Sequence, residues 1–277
     1  MRPLPVDGAI LRITTTMVKL EDLSRTRVFI CIFSSAALLV SGAIVLFLPN
    51  GYDHAIVLAS NSFTRRSFLF DAACHAFAEE PMFSGMIFVA LLWFCWFSSP
   101  DVQGRHMNLS GTVASGLAGM FSRVTQLLFP SRARPFQDAS LHLKLPFTVE
   151  VDSLRHVASS FPSDHAALYF ALAATIYSLN RKCGYYAFGL AILVDLVRLY
   201  LGFHYVTDII GGAALGVLCV CVGQRLRVDS LEKRVSPICR APSATFYAVA
   251  FCISYGIATM FYDVRLVASH VAHLIRH

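Results

Sequence analysis

The stretch YYAFGLAILVDLVRLYLGF (Tyr185–Phe203), followed directly by HYVTD (His204–Asp208), decides the fold of this chain. The first part is long and apolar enough to cross a bilayer, because about 20 helical residues at about 1.5 Å each cover about 30 Å of hydrocarbon. It nevertheless carries Arg198 near its end, and charged residues inside membrane helices are costly and tend to be functional. The sequence therefore indicates a membrane helix that ends in chemically active side chains.

The composition of the whole chain points to the same class. Apolar residues make up 56% of the 277 residues and charged residues only 14%, whereas a soluble domain has about a quarter charged residues. The net charge of +6 is modest, and we expect no nucleic-acid partner. Most of the eight cysteines lie in apolar runs and none forms a CxxC pair, so we expect neither a disulfide framework nor a structural zinc.

Apolar runs predict an all-α fold, a polytopic membrane helix bundle with a six-helix core and a seventh, C-terminal transmembrane helix. The predicted spans are Val28–Leu48, Met82–Ser98, Leu109–Phe129, Ala166–Leu179, Tyr185–Phe203, Ile209–Val222 and Thr245–Tyr262. We divide the chain into a cytoplasmic N-terminal segment (1–27), a transmembrane core (28–225), and a C-terminal part (226–277) with a cytoplasmic loop, the additional transmembrane helix and a short tail. The N-terminal segment fits an interfacial helix or a disordered tail.

Lysine and arginine residues predict the orientation of the bundle, because they concentrate on the cytoplasmic side. They cluster in the N-terminal segment, in the turn Arg181–Lys182 and in the loop after the sixth span. All three places lie on one side of the predicted bundle. The polar patches described next then share the opposite face, together with the long loop Pro130–Pro162.

The first polar patch is formed by Arg198, His204 and Asp208. Asp208 follows His204 by about one helical turn, where its carboxylate can accept a hydrogen bond from the ring and make the other ring nitrogen a nucleophile. Arg198 offers a planar set of donors suited to phosphate oxygens. Gly202 is expected to end or bend the fifth span. The alternative is an interfacial charge cluster that reaches into lipid headgroups.

The second patch, Pro162-Ser163-Asp164-His165, opens the fourth span. The free N–H groups and positive dipole end of a helix N-terminus attract phosphate. Ser163 can add a hydroxyl donor, and His165 is placed to protonate a leaving oxygen. An ordinary helix cap is the alternative interpretation, because serine and aspartate are common at that position.

Arginines make up the third patch. Arg123 lies within the apolar run of the third span, a position that is expensive without an anionic partner. Arg132 and Arg134-Pro135 follow the break at Pro130. The alternative is a basic stripe that binds lipid headgroups.

Asp71, His75 and Glu79 recur at every fourth residue of a possible helix on the outer face. Such a cluster can hold a metal ion. The solvated face of a short interfacial helix is the preferred interpretation.

Taken together, the three patches resemble the type 2 phosphatidic acid phosphatase superfamily of membrane lipid phosphatases. The family pattern is Lys-(six)-Arg-Pro, then Pro-Ser-Gly-His, then Ser-Arg-(five)-His-(three)-Asp. The third part is complete here except that Val197 replaces its leading serine, and the second has Asp164 in place of glycine. The resemblance runs from about Arg123 to Gly216.

The first part of the family pattern is the least complete. It keeps Arg134-Pro135, but Leu127 stands at the position of the lysine. Arg123 is the first candidate to replace that lysine, and Arg132 is its rival.

The resemblance implies a role for each matching residue. His204 becomes the nucleophile, Asp208 the residue that orients it, and His165 the general acid and then the base for water. The phosphate-binding residues would be Arg123, Arg134, Ser163, Asp164 and Arg198. Asp164 fits only if its carboxylate points away from the phosphate or is neutralised by an arginine. The arginines take the place that a metal usually fills, so we expect no metal and no cofactor.

The function that follows is a metal-independent phosphatase acting on a lipid phosphate or pyrophosphate, with undecaprenyl pyrophosphate ranked first. We expect it in a bacterial cytoplasmic membrane, with the active site facing the periplasm or outside. Two alternatives remain open at this point. One is a membrane protein that binds or transports a lipid phosphate without catalysis, and the other is an enzyme similar to vanadium haloperoxidases, which are soluble.

Overall fold

The computed structural model describes residues 7–48, 51–99, 101–128, 130–149, 159–225, 237–262 and 267, with the side chains of the first helix described at 26 and from 28 onward. Within these ranges the protein is helical and contains no strand. The helices are α1 (Asp7–Phe47), α2 (Gly51–Asn61), α3 (Phe68–Glu79), α4 (Gly85–Ser98), α5 (Val102–Leu128), α6 (Asp164–Leu179), α7 (Arg181–Tyr200), α8 (Val206–Gly223) and α9 (Ala244–Ala258). Two short 3-10 turns, Pro135–Gln137 and Ala139–Leu141, lie in the α5–α6 connection.

Each of the seven predicted spans coincides with a helix, which confirms the all-α bundle. Three helical segments are each long and apolar enough to cross a membrane: Val28–Phe47 of α1, α7 and α8. Helices α4 and α9 are apolar but shorter. The backbone of residues 7–27 is helical and continuous with the first span, which favours a helix over a disordered tail there. The proposed boundaries at 27 and 225 stay predictions.

Polar residues explain why α5 is less apolar than its neighbours. Four polar side chains of this helix are buried: Asn108, Ser115, Ser122 and Gln126. The amide of Asn108 donates to the carbonyl of Leu92 (2.9 Å), and the hydroxyl of Ser115 donates to the carbonyl of Gly111 (2.8 Å). Backbone carbonyl groups accept these hydrogen bonds inside the bundle, where water is absent and buried polar groups need a partner.

Helix α6 is the centre of the bundle and packs against α4, α5, α7 and α8. Its residues Leu168, Leu172 and Ile176 are buried in one apolar core with Phe88 of α4 and Val194 of α7. This position carries the start of α6 to the middle of one end of the bundle.

Small residues let α8 approach α6 closely, as the small-xxx-small pair in α8 suggests. A Cβ atom added at Gly212 would lie 2.3 Å from the carbonyl oxygen of Ser163, and one added at Gly216 would lie 2.2 Å from that of Ala167. Both obstacles are backbone atoms of α6, which a side-chain rotation does not remove. The start of α8 is therefore fixed against the start of α6.

Replacing Gly216 with alanine is expected to destabilise the protein by about 1–3 kcal/mol, because the two helices must separate. The matched control is Gly189→Ala in α7, where an added Cβ would meet nothing within 4 Å. Melting temperatures of both variants in detergent measure the effect. Equal melting temperatures for the two variants would contradict the close packing.

Helix α9, which corresponds to the seventh predicted span, packs against α4. A Cβ added at Gly85 would lie 2.1 Å from the carbonyl oxygen of Ala258, and the indole N–H of Trp93 donates to the hydroxyl of Ser254 (3.1 Å). Helix α9 is thus joined to the bundle on the side of α4.

Helices α2 and α3 were not among the predicted spans, and α3 corrects one sequence interpretation. The prediction that Asp71 lies on a solvated helix face is wrong, because its carboxylate is fully buried. It accepts hydrogen bonds from the hydroxyl of Tyr200 (2.5 Å) and from the backbone N–H of Arg65 and Phe147 (3.3 Å each). Asp71 therefore fastens α3 and the α5–α6 connection to the end of α7.

Candidate active site

Four helix ends meet on one face of the bundle: the end of α5, the start of α6, the end of α7 and the start of α8. The hydroxyl of Ser122 and the amide of Gln126, both in α5, donate to the carbonyl of Pro162 (3.0 and 2.8 Å). The backbone N–H of Ser163 donates to the carbonyl of Asp208 (3.0 Å). The three predicted patches are therefore brought together.

The turn between α7 and α8 positions the first of the two histidines. Gly202 has φ of +75°, a conformation that glycine adopts without steric cost. The N–H of Phe203 then donates to the carbonyl of Arg198 (2.9 Å). The expected end of the span at Gly202 is confirmed, and His204 follows at the bottom of the turn.

His204 is fully buried. Its Nδ1 lies 3.1 Å from the carbonyl oxygen of Ser160 and 3.8 Å from Oδ2 of Asp208. With Nδ1–H donating to the carbonyl, the lone pair is on Nε2, and Nε2 has no hydrogen-bond partner in the described part of the chain. The carbonyl of Ser160 is thus the nearer acceptor for Nδ1–H, and the negative charge of the Asp208 carboxylate lies on the same side of the ring.

Burial, followed by the charge of Arg134, lowers the pKa of His204 to about 4, with Arg198 acting in the same direction and Asp208 opposing it. The ring is therefore neutral near pH 7. A neutral ring with a free nitrogen can act as a nucleophile.

The low pKa of His204 has a consequence for stability. When the pH falls below 6.5, the ordinary pKa of histidine, His204 becomes protonated in the unfolded chain. In the folded protein the same ring stays neutral until about pH 4. The free energy of unfolding is therefore expected to fall across this interval. Melting temperatures measured against pH should fall less steeply for His204→Asn than for wild type. Identical slopes would contradict the lowered pKa.

Asp208 is fully buried and is held by several donors. Its Oδ2 accepts from the backbone N–H of Tyr205 (2.8 Å) and from the hydroxyl of Ser160. Its Oδ1 accepts from Nη1 of Arg132 (2.5 Å), whose Nη2 donates to Asp53 of α2 (2.7 Å). The carboxylate is therefore fixed in the position from which it faces His204.

The structure places the two arginines that were rivals for the missing lysine at different points of the site. Arg132 pairs with the carboxylates of Asp53 and Asp208. Its guanidinium carbon also lies 4.2 Å from the centroid of the Tyr205 ring. Arg123 instead places Nη2 2.6 Å from Oδ2 of Asp164, at the start of α6. Arg123 thus lies at the start of α6 and Arg132 at Asp208, and the replacement of the lysine by Arg123 stays a prediction.

The pairing of Arg123 also answers the question raised by Asp164. Asp164 is buried, and its carboxylate is neutralised by the arginine as the sequence interpretation requires. Its Oδ1 lies 3.2 Å from Nδ1 of His165. Ser163 caps the helix by accepting from the N–H of Ala166 (3.3 Å). Ser163 therefore caps the helix, as the alternative interpretation of this patch predicted, and it remains a candidate site residue as well.

Arg134 and Arg198 supply the remaining positive charge, and both are buried. Arg134 donates weakly to the carbonyl of Phe203 (3.4 Å), and its charged neighbours include Asp164 and Arg198. Burial lowers the pKa of Arg134 to about 10, so it stays charged. In both side chains Nε has no hydrogen-bond partner among the described residues, and buried donors of this kind need an acceptor.

Four residues of the site were missed from the sequence. They are Asp53, Glu79, Ser160 and Thr207, of which Glu79 was noted only as part of the possible metal cluster. Thr207 donates to Asp53 (2.5 Å), and Glu79 pairs with Arg198 (2.9 Å). Ser160 and Thr207 adjoin the motifs, and that proximity was the only signal. Asp53 and Glu79 come from α2 and α3, which no motif connects to the site.

Comparison with known proteins finds one family model and several relatives that match part of the chain. The sequence model of the PAP2 superfamily matches residues 107–231. The chain is 31% identical over 133 residues to the bacitracin transport permease protein BcrC of Bacillus licheniformis, covering 48% of this chain and 62% of the relative. It is 24% identical over 131 residues to the undecaprenyl-diphosphatase BcrC of Bacillus subtilis (strain 168), covering 47% and 63%. The chain thus spans about three-fifths of the length of these relatives.

A solved structure shares the fold. The crystal structure of a transmembrane PAP2 type phosphatidylglycerolphosphate phosphatase from Bacillus subtilis matches with a TM-score of 0.50 and 20% sequence identity. The match covers 74% of this chain and 96% of that chain. It confirms the helical membrane architecture.

Proposed function

Because residues 107–231 of this chain match the sequence model of the PAP2 superfamily, we propose that the protein is an integral membrane phosphatase that hydrolyses a lipid phosphate or diphosphate. One observation carries the proposal. Nε2 of buried His204 has no hydrogen-bond partner among the described residues, and the charged groups that act on this ring are Arg134, Arg198 and Asp208. A nucleophile among cations with unused donors suits a phosphoryl group.

The proposed reaction is a double displacement. The lone pair on Nε2 of His204 forms a bond to phosphorus while the bond from phosphorus to the leaving oxygen breaks. His165 gives its proton to that oxygen. Water then loses a proton to His165 and attacks phosphorus, the nitrogen–phosphorus bond breaks, and inorganic phosphate leaves.

The positive groups stabilise the charge that spreads over the phosphoryl oxygens. Arg134 and Arg198 offer donors, and the positive dipole end of α6 adds to their field. The N–H groups of His165 and Ala166 at this helix end already donate to Asp164 and Ser163. Ser163 already uses its oxygen as a cap acceptor, so its hydroxyl proton is available to a phosphate. The reaction assigned here uses no metal ion.

We rank undecaprenyl diphosphate first among substrates and phosphatidylglycerol phosphate second. The first choice rests on the relative that is an undecaprenyl-diphosphatase, and the second on the solved structure of similar fold. We place the site on the outer face of a bacterial cytoplasmic membrane. Reporter fusions test this orientation, and a cytoplasmic Pro130–Pro162 loop would contradict it.

Phosphate release by the purified protein in EDTA tests the function. A panel of lipid phosphates and diphosphates serves as substrates, and the fastest identifies the lipid class. Release that persists in EDTA supports the proposal. Release that requires an added divalent cation would contradict metal independence, and no release from any lipid by folded protein would contradict the phosphatase.

One relative is a bacitracin transport permease protein, which favours transport as a second candidate. A transporter or binding protein would hold the anion without cleaving it. Binding of a lipid phosphate without phosphate release would support this candidate instead.

A further inference from the structure

Glu79 is the last residue of α3, and it reaches into the site from outside the family motifs. Its Oε1 accepts a hydrogen bond from Nη1 of Arg198 at 2.9 Å. The same Nη1 donates to the carbonyl of Ala78 at 3.2 Å. The end of α3 therefore holds one edge of the Arg198 guanidinium.

The two partners of this ion pair differ in exposure. The side chain of Arg198 is 5% exposed, whereas that of Glu79 is 47% exposed. Partial burial alone would raise the pKa of Glu79, but the charges of Arg198 and His165 lower it. Glu79 is therefore an anion near pH 7, at the solvent-facing side of a buried arginine.

Arg198 has donors to spare on its other edge, because its Nε has no hydrogen-bond partner among the described residues. A phosphate bound there would lie beside the carboxylate of Glu79. Two anions that share one guanidinium repel each other, and the weaker one is released or displaced.

We propose that Glu79 is a specificity-determining residue that competes with phosphate for Arg198 and so disfavours free inorganic phosphate. The inference rests on the proposed phosphatase function. A lipid substrate is held by its tail in the bilayer as well as by its phosphate, and it can displace an exposed carboxylate that is bound weakly. Inorganic phosphate lacks the tail, so the carboxylate regains Arg198 and the product leaves.

Equilibrium binding of inorganic phosphate to the full-length protein in detergent tests this inference without turnover. Titration calorimetry gives the Kd for wild type, Glu79→Gln and Glu80→Gln. Glu80 is the matched control, because it is the exposed neighbouring carboxylate. We expect Glu79→Gln to lower the Kd by about three- to tenfold, and Glu80→Gln to change it by less than about twofold.

Steady-state kinetics on a lipid phosphate adds a readout that a merely structural role would not move. Glu79→Gln should lower KM and strengthen inhibition by inorganic phosphate, while Glu79→Asp should restore values near those of wild type. Equal phosphate Kd values for wild type and Glu79→Gln would overturn the inference alone. A wild type that hydrolyses no lipid and binds no phosphate would overturn the proposed function and this inference with it.

Discussion

Replacing His204 with asparagine is expected to lower kcat for lipid-phosphate hydrolysis by about 10⁴-fold or more. Asparagine can still donate a hydrogen bond toward the carbonyl of Ser160, which His204 Nδ1 approaches at 3.1 Å. Its amide nitrogen has no nucleophilic lone pair to attack phosphorus, because that pair is delocalised into the carbonyl. Phosphate release at saturating substrate measures the loss.

The matched control for this prediction is His142→Asn. His142 is exposed and lies in the left-handed region with φ of 45°, which asparagine tolerates well. We expect the control to keep activity within about twofold of wild type. Full activity in His204→Asn would show that another group attacks phosphorus.

Replacing Arg134 with lysine is expected to lower kcat/KM by about 10²- to 10³-fold. The arginine is 5% exposed, donates to the carbonyl of Phe203 (3.4 Å) and keeps Nε free of partners within the described residues. Lysine keeps the charge but loses the planar set of donors that can serve a carbonyl and a phosphate together. Initial rates at low substrate concentration measure the effect.

The control for Arg134→Lys is Arg66→Lys, at an exposed arginine in the connection between α2 and α3. Its Nε donates to the carbonyl of Ser62 (3.0 Å), and its guanidinium lies 4.7 Å from the centroid of the Phe63 ring, so both contacts are local. We expect no measurable change there. Wild-type kcat/KM in Arg134→Lys would mean that charge alone, rather than donor geometry, serves the phosphate.

The membrane helices could be predicted from the sequence because bilayer thickness sets their length and hydrocarbon sets their composition. The ends of the helices near the motifs were also predictable. Gly202 ends the fifth span, and Ser163 caps the fourth, because both residues have strong local conformational preferences.

The requirement that Asp164 be neutralised could also be predicted, because a carboxylate is incompatible with a phosphate unless a cation accompanies it. The structure supplies Arg123 at 2.6 Å. The same contact explains why an arginine is tolerated in the apolar third span. Which arginine would do so was open, because Arg123 and Arg132 had been compared only as replacements for the missing lysine.

The contributions of α2 and α3 could not be predicted. Asp53 reaches Arg132 (2.7 Å), and Glu79 reaches Arg198 (2.9 Å), but both contacts join distant parts of the chain. Helical spacing placed Asp71 and Glu79 on one face without telling whether protein or water covers that face. Asp71 is buried and Glu79 is half-exposed, because tertiary packing rather than local pattern decides burial.

Trapping a phosphorylated histidine tests the central claim most directly. The His165→Gln variant would be mixed with a lipid diphosphate labelled with phosphorus-32 on its terminal phosphate and quenched in alkali, since this variant lacks the base that activates water. The account predicts a label on the protein that is stable in alkali, labile in acid and located on the peptide that contains His204. Steady phosphate release with no label on the protein, or a label on a different residue, would contradict it.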